Sequence, residues 1–304
     1  MENENKALIF NKVQGSFVDG WGIRTTIFLK GCPLRCKWCC NPEGQSFEPE
    51  LKVTYEKCNG CGRCVDLCPQ HALTISDGLV SVDRKLCNVC GECEDFCWTG
   101  ALEPFGRYYS VDEMFDFLKR DIEFYTASGG GVTIGGGEAA CQPDFVLPLI
   151  EKCHDAGIKV AIDTCGYVSD PRSIEVYKKA DLLLYDIKGM NPVKHKENTG
   201  VSNELIWANL RMMGEIKKPI IIRMPIIPGY NDSDEEIRNA AEALKEIQSV
   251  ERIDIIPIHH FGKVKYKQIG LEYQMDTDLA ISEERQQQIK DMISSYGFRT
   301  QIGG

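Results

Sequence analysis

No stretch of the chain approaches the roughly 18 consecutive apolar residues that cross a bilayer. Positive charge is also in deficit, with 35 Lys and Arg against 45 Asp and Glu in 304 residues, a formal net charge of -10. The first absence excludes a membrane-spanning helix, and the second argues against nonspecific binding to nucleic acid or an anionic membrane. The opening residues, MENENKALIF, lack the apolar core of a secretory signal, so the expected location is the cytoplasm. With 43% hydrophobic and 26% charged residues, the composition is not that of a disordered chain. Low-complexity tails are missing too, as is any repeat finer than a strand-helix unit.

Cysteine is the exception to this ordinary inventory. There are 15, and twelve lie between Cys32 and Cys97. A chain of this length buries its own core and needs no covalent staples. In a reducing compartment, clustered thiols point to metal or redox chemistry.

Residues 21–31, WGIRTTIFLKG, form a β-branched, apolar run that predicts a strand. Residues 55–102 hold eight cysteines and too few large apolar side chains for a conventional core, so bound metal is expected to organise them. From residue 106 a strand-helix rhythm sets in, with strands expected at 131–136, 158–164, 181–188, 219–227 and 252–259. Ser110 with Glu113, and Ser233 with Glu236, carry the spacing of capping boxes at two helix starts. Runs such as LLLYDI lack strict alternation, as expected of strands buried on both faces of a parallel sheet. The expected fold is therefore α/β, a partial or complete TIM-type parallel barrel of about six β/α units, interrupted after its first strand. Residues 1–54 and 103–304 form the barrel, and 55–102 form an insert. In such barrels the C-terminal strand ends carry the chemistry. GCPLRCKWC, GGGEAAC, DTCGY, DIKGM and PIHHFG all fall there.

The insert repeats one pattern. Cys58, Cys61, Cys64 and Cys68 precede a proline at Cys-x2-Cys-x2-Cys-x3-Cys spacing; Cys87, Cys90, Cys93 and Cys97 repeat it with Trp98 in the proline position. In bacterial two-cluster ferredoxins the fourth cysteine of each run ligates the other cluster. One [4Fe–4S] cluster is thus assigned to Cys58, Cys61, Cys64 and Cys97, the second to Cys68, Cys87, Cys90 and Cys93. Zinc knuckles use similar pairs, but two tandem quartets favour iron–sulfur. Cys32, Cys36 and Cys39 follow the first strand at Cys-x3-Cys-x2-Cys spacing. Three thiolates around a cubane leave one iron open to a substrate or cofactor.

These motifs, with DGWGIRTTIFLKGCPLRCKWCCNPEG, SGGGVTIGGGE, AIDTCGY, LYDIK, TGVSN, IIRMPIIPGYNDS and IPIHHFGKVKY, resemble those of radical S-adenosylmethionine (SAM) enzymes. More narrowly, the chain resembles glycyl radical enzyme activating enzymes that carry a two-cluster ferredoxin-like insert. The resemblance implies a partial (β/α)6 TIM-type barrel and three [4Fe–4S] clusters, one binding SAM and two auxiliary. It implies reductive cleavage of SAM to a 5′-deoxyadenosyl radical, which takes hydrogen from a glycine Cα of a partner enzyme. A small-molecule hydrogen donor is the alternative that cluster and SAM residues alone leave open. The implied partners are the C-terminal glycyl radical domain of a large enzyme and a flavodoxin or ferredoxin-type electron donor; a monomer is expected.

The resemblance also implies site residues. Gly136, Gly137 and Glu138 inherit a grip on the methionyl amino group. Asp186, Ile187 and Lys188 lie beside SAM and the target glycine, Arg223 in its apolar run needs an anionic partner, either the SAM carboxylate or a structural carboxylate, and His259 sits near the adenosyl group. Trp38, with Cys39 and Cys40, meets the adenine, and Thr164 to Gly166 line the ribose side. Trp21, in DGWG where relatives carry DGPG, is expected near the barrel mouth. The insert argues against the short formate-lyase and ribonucleotide-reductase activators. It leaves choline lyase, diol dehydratase, arylacetate decarboxylase and benzylsuccinate synthase partners open. The GGGE context favours the choline-lyase group and the terminal IGG the aryl group, so these motifs select none.

Overall fold

The computed structural model describes residues 5–303; the first four residues of the polar N-terminus and Gly304 of the terminal IGG lie outside it. In chain order the strands are β1 (Lys6–Ser16), β2 (Arg24–Leu29), β3 (Glu50–Val53), β4 (Leu73–Ser76), β5 (Leu79–Val82), β6 (Leu102–Phe105), β7 (Arg107–Ser110), β8 (Gly131–Gly136), β9 (Lys159–Thr164), β10 (Leu182–Asp186), β11 (Ile220–Ile226), β12 (Val250–Pro257) and β13 (Thr300–Ile302). The helices are α1 (Arg63–Leu67), α2 (Glu92–Phe96), α3 (Val111–Leu118), α4 (Ile122–Ser128), α5 (Pro143–Asp155), α6 (Pro171–Lys179), α7 (Pro192–Thr199), α8 (Glu204–Glu215), α9 (Asp234–Leu244), α10 (Lys263–Gln268) and α11 (Glu283–Ser294).

One nine-stranded sheet runs β13-β12-β11-β10-β9-β8-β2-β1-β7. From β2 to β13 neighbouring strands are parallel, whereas β1 pairs antiparallel with both β2 and β7. The six expected parallel strands are present in order. The sequence reading missed the antiparallel edge, because the polar half of β1 carries no buried periodicity. The sheet ends in free edges at β7 and β13, the geometry of a partial barrel.

Period-two alternation divides each strand between two surroundings. Val160 and Ile162, Leu183 and Tyr185, and Ile220 and Ile222 pack into the helical layer. Ala161, Leu182, Leu184 and Ile221 form a separate inner cluster, against which Trp21 packs. Trp21 Nε1 also donates to Glu251 Oε2 at 3.1 Å. These contacts lie toward the N-terminal strand ends, so Trp21 plugs the base of the barrel and not its mouth. The reason is connectivity: the 17–23 loop leads into the start of β2.

The Ser110–Glu113 capping box forms in full. At α9 only half of one forms: Ser233 accepts from Glu236 N, but the Glu236 carboxylate reaches Met190 N and, at 3.2 Å, Asn191 N. A tertiary contact displaced the local one. Within residues 55–102, β4 and β5 form a hairpin, and β3 pairs with β6 where this segment joins the rest of the chain. The segment's buried residues are few: Leu73, Val80, Cys93 and Leu102 cluster with Leu51 and Val53 of β3, with further cysteines packed around them. No helix among the described residues is long and apolar enough to cross a membrane.

Candidate active site

The three-cysteine loop leaves β2 through Gly31, whose positive φ of +97° suits glycine. Gly31 N donates to Gly44 O at 2.8 Å and Cys39 N to Cys36 O at 3.2 Å. The loop's outer side is held from a distance: Arg35 N donates to Thr199 O at 2.6 Å and Lys37 N to Asn198 O at 3.1 Å. Cys32, Cys36, Cys39 and Cys40 thereby line one cavity of about 280 Å³ at the C-terminal strand ends. Burial pushes the Cys36 thiol up to about 12. Its thiolate would need a cationic partner to persist there, as an iron centre provides.

Trp38, Gly136, Gly137, Asp186, Lys188, Arg223 and His259 line the same cavity, as do Thr164 and Cys165. Trp38 meets the Tyr230 ring edge-on at 5.9 Å and packs with Ile227 and Met275. Lys188 Nζ lies 2.5 Å from Asp186 Oδ2. Burial opposes charge on Lys188, but Asp186 and the nearby Cys36 outweigh it and hold the ammonium well above its ordinary range. His259 is half-buried, its ring stacked on Phe261 at 4.6 Å, and its Nδ1 is buried with no protein partner. Such an orphaned polar atom invites a ligand. His260 instead uses both nitrogens internally, on Tyr273 Oη and Leu279 O, each at 2.8 Å.

Two expected residues turn elsewhere. Glu138 is fully buried. Its Oε2 accepts from Thr164 Oγ1 and Cys165 N at 2.8 Å each, and its Oε1 from Ala140 N at 3.1 Å and Tyr177 Oη at 3.2 Å. Both oxygens are occupied by the protein, so the carboxylate ties β8 to β9 and does not reach into the cavity. Ile187 is buried in the helical layer, because alternation sends it opposite to Asp186 and Lys188. The glycines have a packing reason as well: a Cβ on Gly137 would sit 2.4 Å from Gly31 O and 2.6 Å from Gly44 O.

Arg223 does meet anions, and they belong to the protein: Asp163 Oδ2 at 3.3 Å and Asp19 Oδ1 at 3.7 Å. The sequence reading missed Asp163, although a carboxylate two residues after Ala161 in an apolar strand was the available signal. Burial, opposed by Arg223 and reinforced by Asp186 and Asp19, pushes Asp163 up to about 7. The cavity floor is thus an ionic layer above the Trp21 plug.

In the insert the thiols sort across the two motifs. Cys58, Cys61, Cys64 and Cys97 line one small pocket; Cys68, Cys87, Cys90 and Cys93 line another. The short helices α1 and α2 carry the third cysteine of each run inward and direct the fourth to the opposite pocket. Backbone N–H groups point at sulfur: Val80 N at Cys58 (3.4 Å), Ala72 N at Cys68 (3.3 Å) and Ala101 N at Cys97 (3.2 Å). Such donors suit sulfur that carries negative charge. The donor sets at all three places fit cubane clusters.

Residues 92–241 match the radical SAM superfamily and residues 51–74 the 4Fe-4S binding domain. The chain is 42% identical to the trans-4-hydroxy-L-proline dehydratase activating enzyme of Clostridioides difficile, over 98% of this chain and 99% of that one. It is 40% identical to the choline trimethylamine-lyase activating enzyme of Oleidesulfovibrio alaskensis, over 98% of both. The chain belongs to the glycyl radical enzyme activating enzymes of the radical SAM superfamily. Its fold is shared with a radical SAM methyltransferase from Sphaerobacter thermophilus, with a TM-score of 0.52 and 15% identity over 97% of this chain and 76% of that one. Membership carries a radical SAM [4Fe–4S] domain together with a further 4Fe–4S module.

Proposed function

We propose that this oxidoreductase reductively cleaves SAM and activates a large glycyl radical enzyme by removing hydrogen from one glycine Cα near that enzyme's C-terminus. The observation that carries the reading is the convergence of Cys32, Cys36 and Cys39 with Lys188, Arg223 and the unpartnered His259 on one cavity, in a chain similar end to end to activating enzymes. Cys32, Cys36 and Cys39 hold a [4Fe–4S] cluster with one iron left for SAM. When bound, cluster and SAM together supply the 5′-deoxyadenosyl radical. Lys188, kept charged by Asp186, supplies the cationic group facing the SAM carboxylate and the incoming peptide, and Arg223, paired with Asp163 and Asp19, forms the ionic floor beneath them. Trp38 and His259 flank the adenosyl group. With Glu138 turned inward, the backbone of Gly136 and Gly137 is left to meet the methionyl amino group. Fixed placement of SAM against the glycine is the protein's main catalytic contribution.

Residues 55–102 form a separate two-cluster insert, with Cys58, Cys61, Cys64 and Cys97 on one auxiliary cluster and Cys68, Cys87, Cys90 and Cys93 on the other. Three clusters per chain follow, served by a flavodoxin or ferredoxin-type donor. The chain works as a cytoplasmic monomer. Similar identity to activators of a lyase and of a dehydratase leaves the partner to be assigned by experiment, and the dehydratase of hydroxyproline joins the set opened by the motifs.

The test is anaerobic incubation of the reconstituted chain with SAM, reductant and candidate glycyl radical enzymes. A doublet EPR signal on a partner glycine supports the reading. Formation of 5′-deoxyadenosine with no radical on any candidate would sink it in favour of a small-molecule donor.

A further inference from the structure

The short helix α10 bridges the two iron–sulfur regions. At its start, Gly262 packs on the three-cysteine loop so closely that a Cβ there would meet Cys39 O at 2.8 Å and Cys40 Cα at 2.9 Å. Lys265 fastens the same end, reaching Glu43 Oε1 and Asn41 Oδ1 at 2.7 Å each. At the far end, Arg84 of the insert donates to Gln268 O at 3.1 Å. Three residues beyond Arg84 stands Cys87, which shares its pocket with the exposed Cys90.

The outward face of this bridge differs from the rest of the molecule. Between His259 and Leu271 there are three lysines and no acidic residue, in a chain of net charge -10. Lys263 and Lys267 are exposed, and Lys85 extends the strip onto the insert. Among the described residues none of these three forms an ion pair, although Lys267 Nζ stands 5.1 Å over the Tyr55 ring. Exposed apolar side chains adjoin these lysines in sequence: Phe261 at 82%, Val264 at 55% and Leu86 at 52%. Asp83 and Glu272, both exposed, bound the strip. Exposed apolar side chains interspersed with unpaired lysines are the layout of a transient interface steered by electrostatics.

We infer that the outer face of α10, continued by Lys85 and Leu86, is the docking surface for an acidic one-electron carrier protein of the flavodoxin type. The inference rests on the proposed function, which requires one external electron per SAM cleaved. Charge selects the occupant: an acidic carrier is repelled by most of this surface and attracted here. Position supports the choice, because the strip overlies the backbone of Cys39 and Cys40 at one end and the Cys87–Cys90 pocket at the other. In the transfer the anionic flavin hydroquinone is oxidised to the neutral semiquinone. The iron–sulfur group behind the strip accepts that electron, and no bond forms or breaks at the interface.

The experiment compares the holoenzyme with the triple variant Lys85→Glu, Lys263→Glu, Lys267→Glu, and separately with Val264→Ser, with thermal melts to verify folding. Binding of a bacterial flavodoxin is measured by calorimetry at two salt concentrations, and oxidation of its hydroquinone by stopped flow. The triple variant is expected to weaken binding at least about tenfold and to flatten its salt dependence. SAM cleavage driven by dithionite, which needs no docking, stays within about twofold of wild type. Unchanged flavodoxin affinity in a folded triple variant overturns the inference. So does weakened binding of the glycyl radical enzyme with flavodoxin binding intact, which would assign the strip to that partner. Failure of the wild type to cleave SAM with dithionite tells against the proposed function itself, and is read separately from the binding measurement.

Discussion

Arg223 Nη1 lies 3.3 Å from Asp163 Oδ2 inside the barrel, while Asp186 is its register partner on the adjacent strand. One guanidinium therefore serves several carboxylates, and they are not equivalent. Asp163 is the one pushed up to about 7 from an ordinary 3.8. The folded chain holds this proton more tightly than the unfolded chain does. Stability from this site therefore falls as pH rises from about 4 to about 7 and levels off above. Asp163→Asn should remove that slope, as measured by denaturant unfolding at pH 5, 6 and 8. An identical slope in the variant would assign the titration elsewhere.

Asp186→Asn leaves the buried Lys188 ammonium without its nearest anion. Breaking a fully buried pair costs roughly 3–5 kcal/mol. Because Asp186 is about a quarter exposed, a loss of about 2 kcal/mol is expected. Adding Lys188→Met should restore part of it in thermal melts, while glycyl radical formation stays lost in both variants. A double variant no more stable than the single would refute the pairing as the source of the loss.

Glu138→Gln separates two roles for one carboxylate. An amide keeps one acceptor oxygen but presents N–H groups to donors that Glu138 now satisfies. Destabilisation by about 1–3 kcal/mol is expected, with SAM affinity changed less than about threefold, since 1.4 kcal/mol is a factor of ten. A large fall in affinity at unchanged stability would instead place the carboxylate on SAM.

Crossed ligation is open to a pairwise test. Cys58→Ala with Cys97→Ala should lose no more iron than either alone, about four atoms per chain. Cys90→Ala with Cys97→Ala should lose about twice that, as both clusters fail. Iron analysis with EPR of the reduced protein checks both. The reverse pattern would mean that each motif closes its own cluster.

Much of this protein is written in local spacing. Three cysteines after a strand, two cysteine quartets, and six apolar runs between helices are one-dimensional signals. Each has a direct physical reading: thiolate reach around a cubane, or a strand covered on both faces. Alternation also placed Asp186 and Lys188 together, and the same rule excludes Ile187 from the cavity. Tertiary structure decided what depends on partners distant in sequence. Glu138 faces inward because Thr164, Cys165 and Tyr177 gather around it. Glu236 leaves its capping box because Met190 N comes within reach. Trp21 plugs the barrel base because its loop feeds the start of β2, and Arg223 finds Asp163 and Asp19 because three strands and a loop converge. Motif spacing specifies which atoms can bind iron, since ligand reach along a chain is local. Where each remaining charge finds its partner depends on which strands become neighbours, and that is settled only by folding.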